Sequence, residues 1–188
     1  DNIYRVNIIE EQSGEMTSSA ITTGAVGPSM LDEFPEVKAM VRLSNPDDGF
    51  FTWQNKHFFA SQISHADSSF FNVFSFKLLS GNPENVLSEP NTIVLSRKLA
   101  EQIFGEKNPV GEFIRFNNKE NLLVTGVSES TPVNSTVQFN ALISFSTLYN
   151  QPDVFLDWDG GWNYITFVKL SENVNLKTLV IKFPDFLE

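Results

Sequence analysis

The chain has 188 residues, 41% of them hydrophobic and 13% aromatic, and carries a formal charge of -10. That much apolar surface excludes an intrinsically disordered chain, and a field of that sign repels phosphate backbones and anionic headgroups, which disfavours nucleic acid as a partner. With no cysteines, disulfides, thiolate chemistry and cysteine-ligated zinc are excluded together. Eighteen of the aromatic residues are Phe, and each one fully buried contributes roughly 1.5–3 kcal/mol, so the core is expected to rest on these rings. No apolar run reaches the ~20 residues that cross a bilayer, and no signal-peptide pattern is present. Membrane segments of a parent protein are therefore expected outside these residues.

In chain order, Asn2 to Glu10 reads as one strand rich in β-branched residues. Gln12 to Ser19 reads as a polar turn. A helix is expected after Gly27, with Pro28 at its first position, Leu31 and Phe34 on one face, and Pro35 closing it. Val37 to Leu43 is a strand, and Asn45 to Gly49 a turn. Two strands then flank a turn at Gln54–Lys56. Next comes "ADSSFFNVFSFKLLSGNP" (Ala66 to Pro83), with Phe70, Phe71, Phe74 and Phe76 inside seven residues. Asp67 or Ser68 is expected to cap a short helix there, and the spacing i, i+1, i+4 puts two or three rings on one face.

"NTIVLSRKLAEQIFGEKNPVGE" (Asn91 to Glu112) predicts a strand running into a helix capped by Ser96. Leu99, Ala100, Ile103 and Phe104 form its buried face, and Gly105 its end. A hairpin is expected across Asn117–Asn121. "FNALISFSTLYN" suits strand or helix equally. Asn163 to Leu170 alternates as a strand, and Leu176, Leu179, Val180 and Phe183 have helical spacing up to Pro184. Strand–helix–strand near the start is echoed between about Leu122 and Leu170. The segment between, about Phe76 to Arg115, reads as an insertion.

Catalytic motifs are mostly absent: no G-x-G-x-x-G, no G-x-S-x-G, no Walker loop and no H-E-x-x-H. His57 and His65 are eight apart, which on one uninterrupted strand gives a shared face but a long separation. They read as ordinary surface histidines rather than metal ligands. "DWDGGW" (Asp157 to Trp162) is the remaining candidate. Asp157, Asp159 and Gly160 copy the start of a calcium loop, but its later ligands are missing. Trp158 and Trp162 suit stacking on a sugar ring, which keeps a free-standing glycan-binding module as an alternative function. The plainer reading is a Gly-rich loop with a Trp packed on the core. A hydrolase using Asp157 and Asp159 ranks last, because carboxylates two apart in a loop rarely hold the ~5–9.5 Å opposed geometry of glycosidases.

The Phe-rich stretch, followed by "NTIVLSRKLAEQIFGEKNPVGEFIRFNN" and "LLVTGV" and preceded by "PSMLDEFPEVKAMVRL" and "DNIYRV", resembles the MacB-like periplasmic core domain of FtsX-type ABC transporter permeases, in particular the Bacteroidetes forms. The resemblance runs from about Asp1 to Leu170. It implies an α+β fold: a porter-like subdomain of two β-α-β units (1–75 plus 116–188) with a smaller Sabre-like subdomain inserted (76–115). The signature positions are Asp67, Phe70, Phe71, Phe74, Gly81, Ser96, Ala100, Phe104, Gly105, Pro109, Gly111 and Gly126, all read as fold positions and none as catalytic. No cofactor or metal is implied. The implied setting is the periplasmic face of the inner membrane, between two transmembrane helices. The implied partners are a second permease protomer, a cytoplasmic ATPase subunit and a periplasmic protein. The family continues past the last helix with another extended segment, whereas this sequence stops at Glu188. The resemblance does not select a substrate.

Overall fold

The computed structural model describes residues 2–12 and 14–186. The opening segment, expected as one strand, is two. β1 (Ile3–Arg5) ends where Arg5 Nε donates to the Asn7 side chain, and the chain leaves the sheet there. β2 (Ile8–Gln12) and β3 (Glu15–Ser19) pair as a separate hairpin, with Gly14 at φ 85° between them. The polar run expected as a turn is thus largely strand. The side chains of β3 are exposed on both faces, which hides a strand from any hydrophobic pattern.

β4 (Ile21–Thr22) leads into α1 (Val26–Glu33). The helix starts earlier than expected, so Pro28 occupies its third position, where a backbone N–H is still not needed. Val26, Met30 and Phe34 are buried and Leu31 is exposed, so the inward face is one residue off the expected one. β5 (Val37–Ser44) follows, then β6 (Asp47–Trp53), which takes in most of the expected Asn45–Gly49 turn. Gln54 and Asn55, at φ 47° and 63°, make the tight turn into β7 (Lys56–Ala66). That double positive φ matches the right-handed twist of paired strands. The Phe-rich helix is α2 (Phe70–Val73), and β8 (Leu78–Ser80) follows it.

β9 (Thr92–Ser96) runs into α3 (Arg97–Phe104), which Ser96 caps by accepting from Leu99 N. Gly105 at φ 63° ends the helix. β10 (Phe113–Phe116) and β11 (Glu120–Ser128) form the expected hairpin through Asn117 and Asn118, both at positive φ. The ambiguous segment is strand and helix in turn: β12 (Ala141–Ser144), then a 3-10 helix (Phe145–Asn150). β13 (Tyr164–Leu170), α4 (Leu176–Val180) and α5 (Phe183–Phe186) close the chain. Pro184 was expected to stop a helix but sits in the first turn of α5, where proline is tolerated.

Eleven strands share one sheet, in the order β1-β13-β5-β7-β12-β9-β11-β10-β6, with β4 on β13 and β8 on β11. β6 also pairs with β7, so β6, β7, β12, β9, β11 and β10 close into a barrel. Residues alternate across its wall. Ile93 and Leu95 of β9, like Ala141 and Ile143 of β12, join one core with Phe51, Ile114, Leu122 and the buried face of α3. Val94 and Leu142 point the other way into a second core. Of the remaining strands, β8 flanks β11, and β1, β13, β5 and β4 form a platform on which α1 and α4 lie. Phe34, Val37, Val168 and Leu179 are among the residues that fill that layer. The strands of segment 76–115 hydrogen-bond to β6, β11 and β12 outside it, and its buried residues are divided between the barrel core, shared with residues 51–63 and 122–143, and the second core, which takes Val86, Leu87 and Val94.

Candidate functional site

The second core sits between platform and barrel, and the Phe-rich stretch supplies it. Phe70 is fully buried and is the centre of the arrangement. Its ring lies 5.0 Å from Phe71, 5.1 Å from Phe74, 5.5 Å from Phe76 in a stacked pair, and 5.5 Å edge-on from Phe139. Phe74 reaches Phe167 of β13 at 5.1 Å. The same cluster takes in Val41 and Leu43 of β5, Val94 of β9 and Leu142 of β12. The rings of Phe70 to Phe76 therefore sit in one core with strands of both bodies. Offset and edge-to-face pairs of this kind add about 0.5–1.5 kcal/mol each beyond burial.

Asp67, expected to cap α2, does something else. Its carboxylate accepts from the backbone N–H of Arg42 at 2.7 Å, from Arg42 Nε at 2.9 Å and from Arg42 Nη2 at 2.8 Å. No side chain caps α2; Ser69, at the capping position, turns its hydroxyl to Met40 O instead. Arg42 is 3% exposed. Its Nη1 donates to Gly24 O at 2.7 Å and its Nη2 to Tyr149 Oη at 2.9 Å, and its guanidinium stacks 3.9 Å over the Phe145 ring. Burial works against the charge on Arg42, but the hydrogen bonds and charge of Asp67 outweigh it and raise its pKa. This one side chain ties β5 to the entry of α1, the entry of α2 and the 3-10 helix. Sequence reasoning missed it. Strand alternation places Arg42 on the same face as Lys38, Met40 and Ser44, the more polar face of β5, so the pattern gave no signal of its burial.

The other signature residues serve the fold elsewhere. Ala100 and Phe104 face the barrel interior from α3. Gly81 and Gly126 let β8 and β11 approach, since a Cβ on Gly81 would meet Thr125 O at 2.7 Å. Pro109 and Gly111 (φ 91°) turn the chain into β10, with Glu112 N donating to Pro109 O. In the loop between the 3-10 helix and β13, Trp162 is half exposed, while Trp158 is mostly covered and packs edge-on at 5.4 Å against Phe186, at the margin of the core under the platform. Asp157 Oδ1 accepts from Trp158 N at 2.8 Å, a local turn contact. Among the described residues, no three His, Asp or Glu side chains are grouped to hold a metal. The two histidines do not share a face, because Gln62 at φ 57° bulges β7 and resets its alternation. His57 is exposed, whereas burial pushes His65 down to about 4, against a weaker opposing pull from Asp47.

The fold defines the class: an α+β domain of the kind found outside the membrane in permeases. The sequence model of the family described as MacB-like periplasmic core domain matches residues 1–183. The chain belongs to that family of ABC transporter permease domains. Three solved structures resemble it. A domain described as part of a permease protein from Porphyromonas gingivalis is 23% identical, with a TM-score of 0.83 over 99% of this chain and 80% of that one. The periplasmic region of MacB from Actinobacillus actinomycetemcomitans is 20% identical, with a TM-score of 0.67 over 88% and 72%. The extracellular domain of the noncanonic ABC-type transporter YknZ from Gram-positive bacteria is 16% identical, with a TM-score of 0.64 over 97% and 92%. At these identities the likeness is one of fold. No curated protein sequence matches the chain. Among the described residues, no helix is long and apolar enough to cross a membrane.

Proposed function

We propose that this domain carries motion from the membrane helices of an ABC permease to a substrate or a protein partner on the periplasmic side of the inner membrane. ATP is hydrolysed on a separate cytoplasmic subunit, and a second permease protomer completes the assembly. The domain itself performs no chemistry. The observation that carries this reading is the position of α2 and the residue that ends it: Phe70 and Phe71 share one core with Val41 and Leu43 of the platform and Val94 and Leu142 of the barrel, and Phe74 reaches Phe167 of β13. A rigid aromatic hub between two packed bodies is a place where a small displacement of one must be answered by the other, because packed cores deform little. The two bodies are then the platform and a Sabre-like barrel wider than the 76–115 insertion, since β6, β7, β11 and β12 complete it. The signature residues Asp67, Phe70, Phe71 and Phe74 form the coupling hinge.

The test is Phe71→Ala in the full-length transporter with its ATPase, with domain stability measured alongside. Truncating a buried Phe costs about 3–5 kcal/mol, so coupling is scored only in the folded fraction. Transport per ATP hydrolysed is expected to fall. Unchanged coupling in folded protein would remove the hinge role.

A further inference from the structure

From Tyr149, near the end of the 3-10 helix, to Trp162 the chain displays four rings at its surface, of which Tyr149 leans on Phe145 and Trp158 meets Phe186 edge-on at 5.4 Å. Tyr149 is 60% exposed, Phe155 67%, Trp158 38% and Trp162 50%. So many exposed rings on one short segment mark an interaction surface. The segment is nevertheless fixed. Val154 and Leu156 pack inward on Phe145, Leu148 and Tyr164. Leu156 also lies so close to Gly24 that a Cβ there would meet its carbonyl oxygen at 2.7 Å. Gly161, at φ 68°, sits where a Cβ would come within 2.0 Å of Phe155 O, so the two ends of the loop are drawn together. Rings held out on an ordered backbone cost little further ordering when they bind.

Charge selects the occupant. From Glu120 to Val168 the sequence has no Lys, Arg or His. Asp153, Asp157 and Asp159 are exposed among the rings, and none has an ion-pair partner among the described residues. Ring faces and free carboxylates both attract guanidinium and ammonium groups. The same carboxylates, and the chain's formal charge of -10, repel anionic headgroups, which argues against lipid.

We propose that residues 149–162 are a docking surface for the basic face of a periplasmic protein. Its Arg and Lys side chains stack on Phe155, Trp158 and Trp162 and pair with the three aspartates. This names the partner class for the function proposed above and rests on that reading. The surface connects to the hinge, because Tyr149 Oη accepts from Arg42, whose carboxylate partner Asp67 opens α2.

The test is an amide-shift titration of this chain with a short synthetic peptide of Arg, Lys and Leu, beside a counterpart carrying Glu in place of every Arg and Lys. Chito-oligosaccharide and vesicles of phosphatidylglycerol and phosphatidylethanolamine are titrated in parallel. Shifts confined to residues 149–162 and their neighbour Gly24 are expected, with the basic peptide only. Binding should weaken with salt, and by about tenfold or more in Trp162→Ala and in Asp157→Asn/Asp159→Asn. Three results would each overturn the proposal: shifts spread over the whole acidic surface, an equal response to the Glu peptide, or a response to the sugar or the vesicles alone. A negative titration leaves the Phe71→Ala coupling result standing, and a failed coupling test with the titration intact removes the permease mechanism alone.

Discussion

Two stretches of this chain carry four rings each and have opposite fates. Phe70 to Phe76 turns its aromatics inward, whereas Tyr149 to Trp162 holds them out. Ring content does not separate them; the residues between the rings do. In the first stretch a one-turn helix brings i, i+1 and i+4 together, and apolar strands from two bodies cover them. In the second, Asp and Gly alternate with the rings, so the backbone turns tightly and its carboxylates stay in water. A phenylalanine cluster is thus a core or a surface according to whether its neighbours can also be desolvated.

The sharpest way to break the first region is to remove its centre. Phe70→Ala should cost about 3–5 kcal/mol in urea unfolding. Arg42→Met should cost a similar amount, because it leaves Asp67 buried without its partner. If Arg42→Met/Asp67→Leu is no more stable than Arg42→Met, the loss was one of packing and not of an uncompensated charge.

Next in size is the pH response of His65. Its folded pKa lies near 4, below the unfolded value, so the unfolded chain binds the extra proton first as pH falls. Stability should therefore decline between about pH 6.5 and pH 4, by roughly 3 kcal/mol at the lower end. His65→Gln should lack that part of the slope, and an unchanged slope would place the titrating group elsewhere.

Gly161→Ala addresses the second region. A side chain at φ 68° against Phe155 O should cost about 1–3 kcal/mol, with faster amide exchange confined to residues 151–163. The smallest effects are expected at the exposed rings. Phe155→Ala and Trp162→Ala should change stability by no more than about 0.5 kcal/mol. A loss as large as that of Phe70→Ala would erase the contrast between the two regions.

Local chemistry made much of this structure legible. The strands Val37–Ser44 and Tyr164–Leu170 show in their apolar runs, the hairpin turns in paired Asn and Gln residues that accept positive φ, and α3 in its cap and glycine. Asp67 was misread because a carboxylate before a short helix looks like a cap; its true partner lies 25 residues earlier. The hairpin β2–β3 was hidden by its lack of a buried face. The barrel was invisible for another reason: its closure depends on β6 meeting β10, Arg115 opposite Thr52, and no local pattern encodes a contact across such a distance. The positions of Trp158 and Trp162 were likewise unreadable, since both a packed and a displayed Trp fit a Gly-rich loop.

The strand order also has a consequence for synthesis. Every strand of the barrel lies between Asp47 and Ser144, so it can close while the rest of the chain is still on the ribosome. β1, β4 and β5 are made first, yet all three wait for β13, which pairs with each of them. Until Leu170 emerges, β5 has an open edge and β1 and β4 have no neighbour in the sheet. That unpaired interval exposes a strand edge able to pair with another chain. A ribosome paused once Ser144 has left the exit tunnel, with β13 still inside it, should therefore carry a protease-resistant barrel joined to a protease-sensitive amino-terminal segment.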